Sequence, residues 1–287
     1  MFRSIHRKCK KTLCLGAVAL MTGTACFALT GCETNRPEVR ITLSFNEQTY
    51  VLDYTLYRNL YPQTVRHFLE LADANYYDGL CVHNYTSTAM YMGGYTYTEG
   101  GANGGLTEKN YFEAVKDLNL SQSVFDQATG ECVNTLYGEF AENGYKVENN
   151  AQKHSYGSLV MYYTPKGDDM TRVKTKRSSD GETDENKTYQ YNSATSLFYV
   201  FTGSSSTMND SYCTFGQLAD DDASDVLEAL EEAIDDYIDS LGDESFTEEV
   251  NLWIDTFDPY VASAKNTAYY EVPVLPIVIE SVEVVKY

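Results

Sequence analysis

The stretch "YYDGLCVHNYTSTAMYMGG", residues 76–94, decides how the chain is read. Within nineteen residues it holds an aromatic-rich turn at Tyr77-Asp78-Gly79, a histidine at position 83, a run of small hydroxylated residues, and the double glycine Gly93-Gly94. Its residue types suit short strands and a tight turn. The functional question is whether it is an enzyme's working strand or the remains of one.

Immediately before it, "YPQTVRHFLELADANYYDG" carries Pro62 where a first helical turn accepts proline, and Val65, Phe68, Leu69 and Ala72 recur at helical spacing. Asn75 and Gly79 end that run. Further upstream, "VRITLSF" from Val39 and "TYVLDYTLY" from Thr49 are β-rich segments separated by Asn-Glu-Gln, which predicts a hairpin. Downstream, "SLVMYYT" from Ser158, "SLFYVFTG" from Ser196, "YCTFGQL" from Tyr212 and "VPVLPIVIESVEVV" from Val272 are β-branched or aromatic. Many short strands with few long helices point to an antiparallel barrel or sandwich.

Three stretches interrupt this pattern. Residues 109–153 are mixed, and residues 167–190 ("GDDMTRVKTKRSSDGETDENKTYQ") are charged and nearly free of apolar side chains, which predicts an exposed loop. Residues 220–266 begin with Leu227, Leu230, Ile234, Ile238 and Leu241 as one apolar stripe, the mark of an amphipathic helix. Val250, Trp253, Ile254 and Phe257 predict a second helix. Between Ala219 and Val250 stand 14 acidic residues and no Lys or Arg, but their spacing does not match an EF-hand loop. A solvated acidic face is the reading adopted.

With the segments in this order, the chain resembles the cyclophilin-type peptidyl-prolyl isomerases. That family's pattern runs Pro-x-Thr-Val, Phe-Leu, Tyr-Asp-Gly, Phe-His-Arg and Phe-Met-x-Gln-Gly-Gly. Here stand Pro62-x-Thr64-Val65, Phe68-Leu69, Tyr77-Asp78-Gly79, Val82-His83-Asn84 and Ala89-Met90-x-Met92-Gly93-Gly94, without a gap from Tyr77 to Gly94. Gly157-x-Leu159-x-Met161, Ser196-Leu197-Phe198-Tyr199 and Phe215-Gly216 follow in family order. The resemblance implies a mostly β fold: a closed eight-stranded antiparallel barrel with a capping helix over each mouth, to which an acidic helical insertion is added here.

It also implies where the site stands. Rotation about a prolyl amide faces a barrier of about 20 kcal/mol, so a catalyst must favour the twisted amide. In the family an arginine supplies the main hydrogen bonds, a glutamine and a histidine orient the peptide, and an apolar pocket holds the proline ring. Those catalytic positions fall on Asn84, Met92 and Tyr212. The substrate-binding positions fall on Met90, Ala89, Tyr199, Met208 and Thr207, with Leu197 in place of a second glutamine. Asn84 brings no charge, so activity is expected to be low or absent. The alternative is a non-catalytic peptide-binding or assembly module on the same barrel. His83 matches a family histidine of structural role. His67 and His154 show no ligand spacing, so neither a metal nor a cofactor is expected.

The N-terminus predicts a location. Arg3, Arg7, Lys8, Lys10 and Lys11 precede an uncharged apolar run from Leu13 to Leu29, the layout of a secretory signal. Leu29-Thr30-Gly31-Cys32 resembles a lipobox, which implies a leader over residues 1–31, lipid on Cys32, and attachment to the extracytoplasmic face of a cell membrane. Residues 32–38 would be the tether and residues 39–287 the domain. Losing the leader leaves 16 basic against 42 acidic residues, a formal charge of −26. Such a surface repels nucleic acid. The expected partners are the membrane, reached through the lipid, and extended or proline-containing peptides of exported proteins. Cys81, Cys132 and Cys213 allow at most one disulfide, and buried free thiols are the simpler reading.

Overall fold

A computed structural model describes residues 34–109, 111–118, 120, 124–126, 136–140, 145, 147, 153–162, 171–176, 184–189, 193–204, 213–253 and 267–287. The expected leader over residues 1–31 therefore lies outside the described residues. The elements begin with β1 (Glu38–Phe45), β2 (Gln48–Leu56), α1 (Pro62–Asp73), β3 (Asn84–Thr86), β4 (Ala89–Met92), β5 (Tyr95–Tyr97), β6 (Leu106–Glu108) and α2 (Tyr111–Leu118). Next come β7 (Val124–Asp126), β8 (Leu136–Tyr137), β9 (Leu159–Met161), β10 (Thr171–Lys176), β11 (Asp184–Tyr189), β12 (Ser193–Ala194) and β13 (Phe198–Phe201). Last are β14 (Thr214–Leu218), α3 (Asp221–Leu241), β15 (Thr247–Trp253), β16 (Thr267–Pro273) and β17 (Val278–Lys286).

The opening hairpin follows from alternation. Val39, Ile41, Leu43 and Phe45 on β1, and Tyr50, Leu52, Tyr54 and Leu56 on β2, are all buried. Two residues, Asn46 (φ 49) and Glu47 (φ 62), make the turn in the left-handed region. That turn matches the twist of the flanking strands, but it strains a side chain at its second position, where glycine is preferred. Glu47→Gly is expected to stabilise the fold by about 0.5–1 kcal/mol, read as a higher urea midpoint at unchanged slope.

Eight strands form one antiparallel sheet in the order β17-β1-β2-β14-β9-β13-β4-β3. Its two ends approach each other. Gly79 N donates to Ile279 O (2.8 Å), Ile279 N to Leu80 O (2.7 Å) and Val82 N to Ile277 O (2.9 Å), so the segment just ahead of β3 hydrogen-bonds to β17. The result is a curled, mostly β structure. Helices pack against it. On α1, Phe68 packs its ring against Tyr77, Phe198 and Phe215 at centroid distances of 5.1, 5.3 and 5.1 Å. On α3, Leu227, Leu230 and Ile234 are buried, and Tyr237 meets Phe45 at 5.9 Å.

The starts of α1 and α3 are capped in different ways. Asp220 accepts from Ala223 N at 2.9 Å, the ordinary side-chain cap of α3. Tyr61 offers α1 no such bond, and the buried Glu139 takes its place, accepting from Gln63 N (3.2 Å) and Thr64 N (3.0 Å). Burial nevertheless holds the Glu139 carboxyl up at about 7, despite the bonds from Thr64 and Gln63.

Two expectations are corrected. The loop expected over residues 167–190 contains β10 and β11, which pair from Thr171↔Tyr189 to Lys176↔Asp184, with β7 on the other side of β10. Thr171, Val173 and Thr175 alternate there with charged residues, so low hydrophobicity hid a β-competent pattern whose bonds are made by the backbone. Where the second helix is expected to begin, at Val250 to Trp253, stands instead the strand β15, paired with β16 from Thr247↔Pro273 to Trp253↔Thr267, while Ile254 and Phe257 lie outside the described residues. Val250 and Leu252 fit a period of two, while Val250 and Trp253 fit a helical one, and the partner strand decides for residues 247–253. Among the described residues no helix is long and apolar enough to cross a membrane.

Candidate functional site

Strands β3, β4 and β13 carry the described residues of the expected site, and β9 pairs with β13 beside them. Asn84 lies opposite Tyr91, Tyr91 opposite Tyr199, and Tyr199 opposite Val160, while Ala89 lies opposite Phe201. Residues directly opposite across an antiparallel ladder share a face. That face carries a small apolar cluster of Ala89, Val160, Tyr199 and Phe201, with half-buried Tyr91 and Tyr162 packed against it. Met90, Met92, Leu159, Met161, Phe198 and Val200 belong instead to the main core.

The structure thus brings together three of the expected residues, Asn84, Ala89 and Tyr199, on the outer face. Met90 and Met92 are fully buried on the opposite face, Met92 across from Phe198 beneath α1. Tyr91, between them, is the residue that points outward. Thr207, Met208, Tyr212 and Cys32 lie outside the described residues. Leu197 is buried in the main core.

The outer face is aromatic. Tyr91 and Tyr199 meet at 4.9 Å with planes tilted 40°, and Tyr162 stands edge-on to Tyr91 at 5.7 Å. His154 lies over Phe201 at 4.0 Å and meets Tyr199 at 6.0 Å, and burial lowers its pKa. The loop after His154 is tied down: Tyr156 donates to Glu231 on α3 (2.5 Å), Gln217 Nε2 donates to Tyr156 O (2.7 Å), and Ser158 Oγ donates to Gln217 Oε1 (2.8 Å). Such faces suit the ring of a proline, which is apolar and stacks on aromatics. Sequence reasoning did not single out Tyr162, Phe201 or His154 for this face, whereas Tyr91 falls in the run of Tyr85, Tyr91, Tyr95 and Tyr97 beside the expected groove, whose outward-facing members are candidates to stack on proline rings. No pattern in the chain marks His154 as a ring-stacking partner of Phe201.

Asn84 has a defined task. Its Oδ1 accepts from Glu271 N at 2.9 Å, binding β3 to β16. The carboxamide is neutral, and its acceptor is already engaged. Glu271 sits beside Asn84, Glu231 accepts from Tyr156 in the loop after His154, and Glu108 acts electrostatically on Tyr270 and Tyr95, which lie behind the face. The strand residues 84–92, 159–162 and 198–201 contain no charged side chain.

His83 sits behind this face, 3 % exposed, with its ring against Tyr95 (4.8 Å) and Tyr270 (5.0 Å). Its Nδ1 makes no hydrogen bond among the described residues, and burial holds the imidazole down at about 3. A neutral, structural histidine fits this environment. Cys81 and Cys213 are buried free thiols, and burial pushes Cys81 up to about 12.

Comparison with known proteins follows the same line. A crystal structure of a cyclophilin-type peptidyl-prolyl cis-trans isomerase from Cryptosporidium parvum shares 17% identity, covers 88% of this chain and 99% of its own, and superposes with a TM-score of 0.42. A second structure of that isomerase, in the presence of the dipeptide Ala-Pro, shares 16% identity over 87% of this chain and 99% of its own, with a TM-score of 0.41. Comparison with curated protein sequences returns no match. The family model described as "Cyclophilin type peptidyl-prolyl cis-trans isomerase/CLD" matches residues 41–252, most of the chain. The chain therefore belongs to the cyclophilin-type peptidyl-prolyl cis-trans isomerase family.

Proposed function

We propose that this cyclophilin is exported, held at the membrane by lipid on Cys32, and binds X-Pro segments of exported proteins on its aromatic face with low or absent isomerase turnover. The observation that carries this reading is Asn84: a neutral side chain stands at the arginine position, and its oxygen is committed to Glu271 N. The uncatalysed barrier is about 20 kcal/mol, and one preorganised donor aimed at developing charge is worth roughly 10²–10³ in rate. Losing a charged donor should therefore lower turnover by at least that range. Proline-ring binding needs only the apolar rings, so it survives.

A tetrapeptide isomerisation assay tests the prediction. Turnover should be about a hundredfold or more below that of an arginine-bearing family member. A rate within about tenfold of that member would overturn it. Asn84→Arg restores a charged donor, but it also breaks the bond to Glu271 N and sets the guanidinium beside the Glu271 carboxylate. Some gain in turnover is expected, and none at all would mean that position 84 does not face the reacting amide. Export and anchoring rest on the basic leader and Leu29-Thr30-Gly31-Cys32. Labelled palmitate should enter the wild-type chain and fail to enter Cys32→Ser.

The binding-module reading has its own support. The Asn84–Glu271 bond holds the β15–β16 hairpin against β3, so this residue works as a structural tie. Saturable binding of a proline peptide without turnover is the result expected under that reading.

A further inference from the structure

We propose that the aromatic face selects proline peptides carrying a lysine or arginine beside the proline. This rests on the reading of that face as the peptide site. The Tyr91 ring lies 4.9 Å from Tyr199 and 5.7 Å from Tyr162, and Tyr91 and Tyr162 are half-buried, so their ring faces and edges are in part reachable. A cation within about 6 Å of such a ring face is attracted by its quadrupole.

The charges around the face point the same way. Where the family has an arginine, which repels a basic neighbour of the proline, this chain has uncharged Asn84. Among the described residues, Glu271 is bonded through its backbone N to Asn84 on this face, and exposed Lys153, next to His154 in the chain, carries the opposing charge. Beyond them lies a mature chain of 16 basic against 42 acidic residues. A field of that sign raises the local concentration of cationic peptides and their on-rate. An acidic residue beside the proline meets the same groups with the opposite sign.

The test uses the full mature chain and three blocked tetrapeptides, Ala-Lys-Pro-Ala, Ala-Ala-Pro-Ala and Ala-Glu-Pro-Ala, titrated by NMR. At about 20 mM salt the lysine peptide should bind roughly tenfold more tightly than the alanine peptide, and the glutamate peptide more weakly than both. At about 300 mM salt the lysine advantage should shrink to a few-fold, because the long-range part is screened while ring contact is not. Tyr91→Leu should lower the lysine-to-alanine ratio in high salt, and Glu271→Gln should lower it in low salt. Equal binding of the lysine and alanine peptides would overturn this inference and leave the peptide site standing. Failure of all three peptides to bind would overturn the peptide site itself.

Discussion

Acidification from about pH 7 to about pH 4.5 is expected to destabilise the native chain through His83 by about 2–3 kcal/mol, because the folded protein excludes a proton that the unfolded chain takes up. Burial among Tyr95 and Tyr270 lowers the His83 imidazole from its ordinary 6.5 to about 3. The stability linked to this group is complete above pH 6.5 and is lost as pH falls toward about 3. His67, buried under its hydrogen bond with Tyr111 at 2.8 Å, is held at about 4 and acts in the same direction.

Glu139 acts in the opposite sense. Burial raises its carboxyl from 4.5 to about 7, so its contribution is full below pH 4.5 and is lost as pH rises through about 7. The wild-type profile is therefore a sum of opposing slopes, and a single-residue comparison is the clean measurement. Urea unfolding of His83→Leu and of the wild type at both pH values should show the variant gaining about 2–3 kcal/mol relative to wild type at the lower pH. Parallel profiles for the two proteins would mean that His83 titrates in the fold as it does in the open chain.

Gly93→Ala is expected to cost about 3–5 kcal/mol, enough to unfold a chain of ordinary stability under mild stress. Gly93 has φ +101, which side chains rarely adopt, and an added Cβ would lie 2.3 Å from Ser196 O. That carbonyl belongs to the segment leading into β13, and Ser196 Oγ itself donates to Gly93 O at 2.7 Å. Neither backbone can withdraw without breaking the β4–β13 ladder. Gly79→Ala is the control, since Gly79 shares a positive φ (+74) but has no atom within 4 Å of an added Cβ. It should lose only about 1 kcal/mol, the conformational part alone. Equal losses in the two variants would show that the Ser196 contact yields at no cost.

Much of the architecture could be read from local chemistry. Pro62 and the Val65-Phe68-Leu69-Ala72 spacing gave α1, alternation gave β1 and β2, and the apolar stripe from Leu227 gave α3. These signals are strong because each element presents one face to the core, and the period of its apolar residues records that face. The strands β10, β11 and β15 were missed for the complementary reason. Their pairing is made by backbone groups that every residue carries, so residues 167–190 looked like loop and residues 250–257 like helix.

At the candidate site the division is sharper. Spacing and residue type along positions 76–94 were enough to point to the family, and they make the neutral Asn84 the expected counterpart of a charged donor, because turn chemistry and gap-free distances are properties of one chain segment. Which side chains of β4 look outward was decided by tertiary structure alone. Pairing with β13 turns Met90 and Met92 into the core and sets Ala89 and Tyr91 beside Tyr199. In a strand, side chains alternate with a period of two, so a shift of one residue exchanges the faces, and only the partner strand selects between them.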